Sequence, residues 1–226
     1  MQLEDKIVQR NQKKGNVMHS DKIYIQSNLK QSVTVSFHTK YAINLIEGSK
    51  NRGPQKKHHI TGLLSFASKL KIVKKDGELN NPYANYYLTK AIKLHSEALL
   101  KVSEISKYCS DEIASYEEIG FSIIVATNNN PTEKTFTFSV PLCYKIVLLL
   151  VEYDLCVRQL QSLFQTGLLT EEDFEKKINS MGQAMRRLFH SAEKYTSVPV
   201  TISDIQVNNE RAIVAKKAMG DLKLAN

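Results

Sequence analysis

The chain has 226 residues, of which 42% are apolar, and a formal charge of +8, enough apolar material to bury a core and too much for a disordered chain. Its longest apolar run, Ile146 to Val151, falls far short of the roughly 20 residues that span a bilayer. The polar N-terminus lacks the apolar stretch of a secretory signal, so neither membrane insertion nor export is expected. Charge is unevenly placed: residues 1 to 75 hold 15 Lys/Arg against 4 Asp/Glu, and residues 76 to 226 hold 16 against 19. That leaves +11 in the first third and −3 in the rest. Lys and Arg placed on phosphates release condensed counterions, so such a field marks the first third as facing a nucleic acid.

Residues 1–29 read as a flexible basic arm, polar and without an apolar period over their first two-thirds. From Ser32 to His38 the pattern alternates strictly, with Val33, Val35 and Phe37 on one face and Ser32, Thr34, Ser36 and His38 on the other, as a half-buried strand requires. Thr39 can cap the short helix that follows, and Gly48 can stop it. Ser49 to His59 reads as a loop loaded with Lys50, Arg52, Lys56 and Lys57. A second helix is expected from near Thr61, with Leu63, Phe66, Ala67 and Leu70 inward and Lys69, Lys71, Lys74 and Lys75 outward. These elements, residues 30–76, form the expected nucleic-acid-facing module.

Residues 77–226 read as a helical body with one hairpin. Asn81 and Pro82 open a long helix whose Leu88, Ala91, His95, Ala98, Val102, Ile105 and Cys109 recur at steps of three and four. Phe121–Thr127 and Thr135–Val140 are β-rich runs separated by an Asn-Asn-Asn-Pro turn, which predicts a hairpin near 121–140. Pro141 opens a strongly apolar helix to about Leu163, Thr170 caps the next, and Ser203 with Gln206 predicts a capping box for a last helix ending at Gly220. The fold class is therefore α+β and mostly helical. Cys109, Cys143 and Cys156 lie in apolar helical patterns, which suits buried reduced thiols and a reducing cytoplasm.

A lone strand before two helices needs a ladder partner, and the same strand of a second chain would supply one. A two-stranded ribbon has the width to enter a DNA major groove. Catalysis has no positive support, because no nucleophile motif, phosphate loop or dinucleotide fingerprint is present. Adjacent His58 and His59 point apart and have no third ligand at suitable spacing, so no metal is expected. Glu152 with Asp154 at i and i+2 do not face each other on a helix, and Glu171 to Glu175 suit a helix N-terminus, so neither group argues for acid/base chemistry. Tyr83, Tyr86 and Tyr87 read as packing residues rather than base-stacking ones.

Ser-Val-Thr-Val-Ser-Phe-His-Thr (32 to 39) with its two helices resembles the ribbon-helix-helix module of Arc- and MetJ-like repressors. Ile60-Thr-Gly-Leu-Leu-Ser-Phe-Ala, Asn80-Asn-Pro-Tyr-Ala-Asn-Tyr-Tyr-Leu, Tyr153-Asp-Leu-Cys-Val-Arg and Gly182-Gln-Ala-Met-Arg-Arg-Leu-Phe are similar to blocks of a family of integrating-conjugative-element and conjugative-plasmid proteins. The resemblance implies a homodimeric transcriptional activator of conjugation genes that binds double-stranded DNA. On that reading the helical body is left to fix the dimer geometry and to touch RNA polymerase. Base reading is then expected from Lys30, Ser32, Thr34, Ser36 and His38. Backbone contacts are expected from Lys50, Arg52, Lys56, Lys57, His59 and Thr61, with the amides at the start of the second helix beside them. No cofactor is implied. The alternative is an accessory protein of the transfer machinery that binds nucleic acid without sequence preference.

Overall fold

The computed structural model of the protein describes residues 31–49 and 60–222. The basic arm, Lys30, and the loop carrying Lys50, Arg52, Lys56, Lys57, His58 and His59 lie outside the described residues. Among the described residues the protein is mostly helical with one two-stranded antiparallel sheet.

Strand β1, Ser32–Phe37, leads into α1, Lys40–Glu47. Thr39 caps α1 by accepting from the Ala42 amide, as its place before the apolar stripe predicts. The helix stops at Gly48, whose φ of +70° is costly for any residue with a Cβ. Ser49 and Ile60 then exchange backbone hydrogen bonds of 2.9 and 3.4 Å, which clamps the two ends of the intervening basic segment. A Cβ on Gly62 would stand 2.4 Å from the Gly48 nitrogen, so this crossing of two backbones admits only glycine on the α2 side.

Helix α2, Leu63–Glu78, buries Leu63, Phe66, Ala67, Leu70 and Val73. Helix α3, Pro82–Glu118, is capped by Asn81, whose side-chain Oδ1 accepts from the Tyr83 and Ala84 amides and whose Nδ2 donates to the Val198 carbonyl at 2.7 Å. Of its expected seam, Ala91, Ala98, Val102, Ile105 and Cys109 are buried, and Leu88 and His95 are half-buried. Strand β2, Thr132–Thr137, precedes α4, Pro141–Gln165, the most buried helix, and α5, Glu171–His190, whose capping by Thr170 matches the sequence. Helix α3 packs on α2, α4 and α5, and α1 packs on α2, α4 and α5. One cluster of buried side chains runs from Phe37 through these helices to Ala215, so the strand and the two short-range helices share their core with the body.

Three expectations are corrected, the first being that β1 takes the same strand of a second chain as its ladder partner: β2 of its own chain fills that place. The hairpin within 121–140 does not form: β2 pairs with β1, in the register Ser32 with Thr137 through Phe37 with Thr132. Residues 121–127 are irregular, anchored by buried Ile123 and by the Ala126 amide on the Ser162 hydroxyl at 2.8 Å, with Ile124 pointing outward. Strand pairing is decided by cross-strand side chains rather than by β-branched content alone. Here Val33 opposes Phe136, the Phe37 and Phe136 rings meet edge to face at 6.3 Å, and two hydroxyl pairs bridge the other face. The last helix is also two helices, α6, Ile202–Val207, and α7, Glu210–Met219. Its capping box is Thr201 with Asp204, not Ser203 with Gln206, and left-handed Asn208 breaks the run before Asn209 caps α7.

Candidate nucleic-acid interface

The alternation of β1 places Ser32, Thr34 and Ser36 on its exposed face. Antiparallel pairing sets Thr137, Thr135 and Glu133 of β2 directly opposite them. The Ser32 and Thr137 hydroxyls lie 2.9 Å apart, as do those of Thr34 and Thr135. In each pair one hydroxyl donates to the other, which leaves one hydrogen and several lone pairs free to meet a ligand. The ribbon thus presents five hydroxyls and one carboxylate on a single outward face. Glu133, Thr135 and Thr137 supply its second half, signalled by their alternation with Lys134 and Phe136, and β2 begins three residues before the expected run at Thr135.

The ribbon ends at a rigid joint. Asp154, buried in α4, accepts from the His38 amide at 3.1 Å, the Thr39 amide at 2.9 Å and the Thr39 hydroxyl at 2.7 Å. Arg158, one turn along α4, stands 3.8 Å from the same carboxylate. His38, a candidate base reader, is half-buried, and its Nδ1 accepts from the Asn128 amide at 3.2 Å. A cleft of about 310 Å³ opens here between His38, Tyr41, Asn128 and Arg158. On the apolar side Lys134 pairs with Glu47 at 2.8 Å, tying β2 to the end of α1.

Thr61, expected on a phosphate, is buried, and its hydroxyl donates to Glu193 at 3.3 Å. Of the α2 lysines, Lys74 faces Glu78 at 3.6 Å and Lys69 reaches the Tyr195 carbonyl at 3.5 Å. Tyr83 and Tyr87 are buried packing residues, whereas Tyr86, expected to pack likewise, is exposed: the Tyr83 hydroxyl donates to the Gly220 carbonyl at 2.9 Å, and the Tyr87 ring meets that of Tyr195 at 5.3 Å. All three cysteines are free and buried. Burial pushes the Cys143 thiol up to about 12, and the mutual hydrogen bond of Cys109 and Cys156 lowers the former and raises the latter. Among the described residues no group of three His, Cys, Asp or Glu is arranged to hold a metal, and no helix is long and apolar enough to cross a membrane.

Residues 26–225 match a family model of transcriptional regulators. That family is described as Transcriptional regulator AcaB, and the chain belongs to it. No curated protein matches the chain. Among solved structures, selenomethionine-containing AcaB from uropathogenic E. coli is similar, with a TM-score of 0.56 and 12% identity over 88% of this chain and 94% of that one. At that identity the likeness is one of fold.

Proposed function

We propose that the protein is a sequence-specific DNA-binding activator of conjugative transfer genes that engages promoter DNA as a dimer, with the β1–β2 ribbon in the major groove. The observation that carries this reading is the outward hydroxyl face of Ser32, Thr34, Ser36, Thr135 and Thr137, rigidly mounted on the body through Asp154. A two-stranded ribbon fits the major groove, and short donors and acceptors can read base edges there. Thr34 and Ser36 read bases, with Lys30, Ser32 and His38 at the two ends of the strand. Glu133 suits the amino group of a cytosine. Lys50, Arg52, Lys56, Lys57 and His59 hold phosphates, and Thr61 fixes the start of α2 rather than touching DNA. The helical body is left to meet RNA polymerase.

The test compares wild type and a Thr34→Ala/Ser36→Ala variant on the promoter fragments of the protein's own gene neighbourhood and on scrambled DNA. The variant should lose about 1–3 kcal/mol of discrimination while its affinity for scrambled DNA stays unchanged. Full discrimination in that variant would remove the ribbon as the reader. One observation favours the accessory reading instead: the middle of the ribbon face lacks Arg, Lys, Asn and Gln, the usual base readers. Equal, steeply salt-dependent affinity of the wild type for promoter and scrambled DNA would decide for it.

A further inference from the structure

Helix α4 is the core helix of the protein, yet one stripe of it faces outward. Leu148 is 64% exposed, Val151 38% and Leu155 40%, with exposed Lys145 one turn before them and exposed Glu152 among them. Spacings of three and four from Lys145 through Leu148 and Glu152 to Leu155 place these residues on one helical face. Helices α1, α3 and α5 already cover the rest of α4. The stripe continues onto α3, where Ile92 is 49% exposed and the neighbouring His95 is close enough to both Lys145 and Glu152 to feel their charges.

The charges say what covers the stripe. Lys145 and Glu152 are seven residues apart and of opposite sign, and the midpoint between them falls beside Leu148. Two copies of α4 crossing antiparallel on a two-fold axis at that midpoint bring Lys145 of each chain against Glu152 of the other, twice. The same axis packs Leu148 on its own copy and sets Leu155 against half-buried Leu142. A parallel crossing would oppose like charges. An isologous contact needs this kind of self-complementarity, and the antiparallel register supplies it over a seam of about 20 Å.

We propose that this face of α4 is a two-fold contact between copies of the chain, antiparallel about Leu148 and pinned by reciprocal Lys145–Glu152 pairs. The inference takes the dimer from the reading above and adds where the copies meet. Its test is the mass of the full-length protein in low salt by light scattering, with no DNA present. Wild type should run as a dimer. Lys145→Glu and Glu152→Lys should each shift the mass to the monomer, and the Lys145→Glu/Glu152→Lys double variant should restore the dimer. Leu148→Glu, at an exposed position, should give a folded monomer with an unchanged circular dichroism spectrum. A monomeric wild type, single charge reversals that stay dimeric, or a double variant that stays monomeric would each overturn the contact. Because mass is read without DNA, the ribbon can fail as a reader while the seam stands, and a monomer that binds promoter DNA selectively would sink the seam alone.

Discussion

Thr34 and Thr39 lie five residues apart and put the same hydroxyl to opposite uses. Thr39 donates to buried Asp154 and accepts from the Ala42 amide, so its capacity is spent inside the protein. Thr34 shares one bond with Thr135 on an exposed ribbon and keeps the rest for a partner. The ribbon and the joint behind it therefore divide the work: the joint fixes the orientation of the strand, and the strand face carries chemistry the fold does not consume. A side chain is a candidate for function here when its hydrogen-bonding capacity exceeds what its neighbours use.

The hardest test of that division is Asp154→Ala. It removes three accepted hydrogen bonds, leaves the His38 and Thr39 amides without their acceptor, and strips Arg158 of its counter-charge. Loss of one partner of a buried charged network costs roughly 3–5 kcal/mol, read as a fall in the urea midpoint. A midpoint equal to wild type would show that the helices alone hold the ribbon in place. On the ribbon itself a double-mutant cycle of Thr34→Ala and Thr135→Ala should return a coupling within about 0.2–1 kcal/mol, the range of cross-strand pairs. A larger coupling would mean that these hydroxyls serve the fold and leave less for DNA.

What could be read from the sequence was local. The alternation from Ser32 to His38 and the caps at Thr39, Asn81 and Thr170 each depend on neighbours within a few residues, and each appears where expected. The partner of β1 was not legible, because the Thr34–Thr135 pair spans 101 residues and the β-branched run at 121–127 competed for the same strand. Asp154 had a signal, a carboxylate set among Tyr153, Leu155 and Cys156 in an apolar helix, but its acceptor role depends on amides 115 and 116 residues away. Three of the four blocks that resemble the family fall at such joints: Ile60 to Gly62 at the backbone crossing, Asn81 at the cap tied to Val198, and Asp154 with Arg158 at the ribbon base. They identify the fold more than the chemistry: Thr61, expected on a phosphate, is buried with its hydroxyl on Glu193.

His95 tests the same comparison from inside the body, where a polar atom is not fully used. Its Nε2 is buried without a hydrogen-bond partner. Burial holds its pKa below the ordinary 6.5, a hydrogen bond to the Lys145 backbone works against that, and the charges of Lys145 and Glu152 act in opposite directions. The folded state therefore resists a proton that the unfolded chain accepts. The stabilising contribution is complete above pH 6.5 and is lost as pH falls through the lowered native value. An NMR titration of His95 should give a midpoint under 6.5, and His95→Gln should flatten the acid limb of the stability profile relative to wild type. Lys145→Glu should move the His95 midpoint upward, since it removes a repelling cation and adds an attracting carboxylate. A midpoint indifferent to that reversal would place the Lys145 ammonium out of electrostatic reach of His95 and detach α3 from the charged stripe of α4.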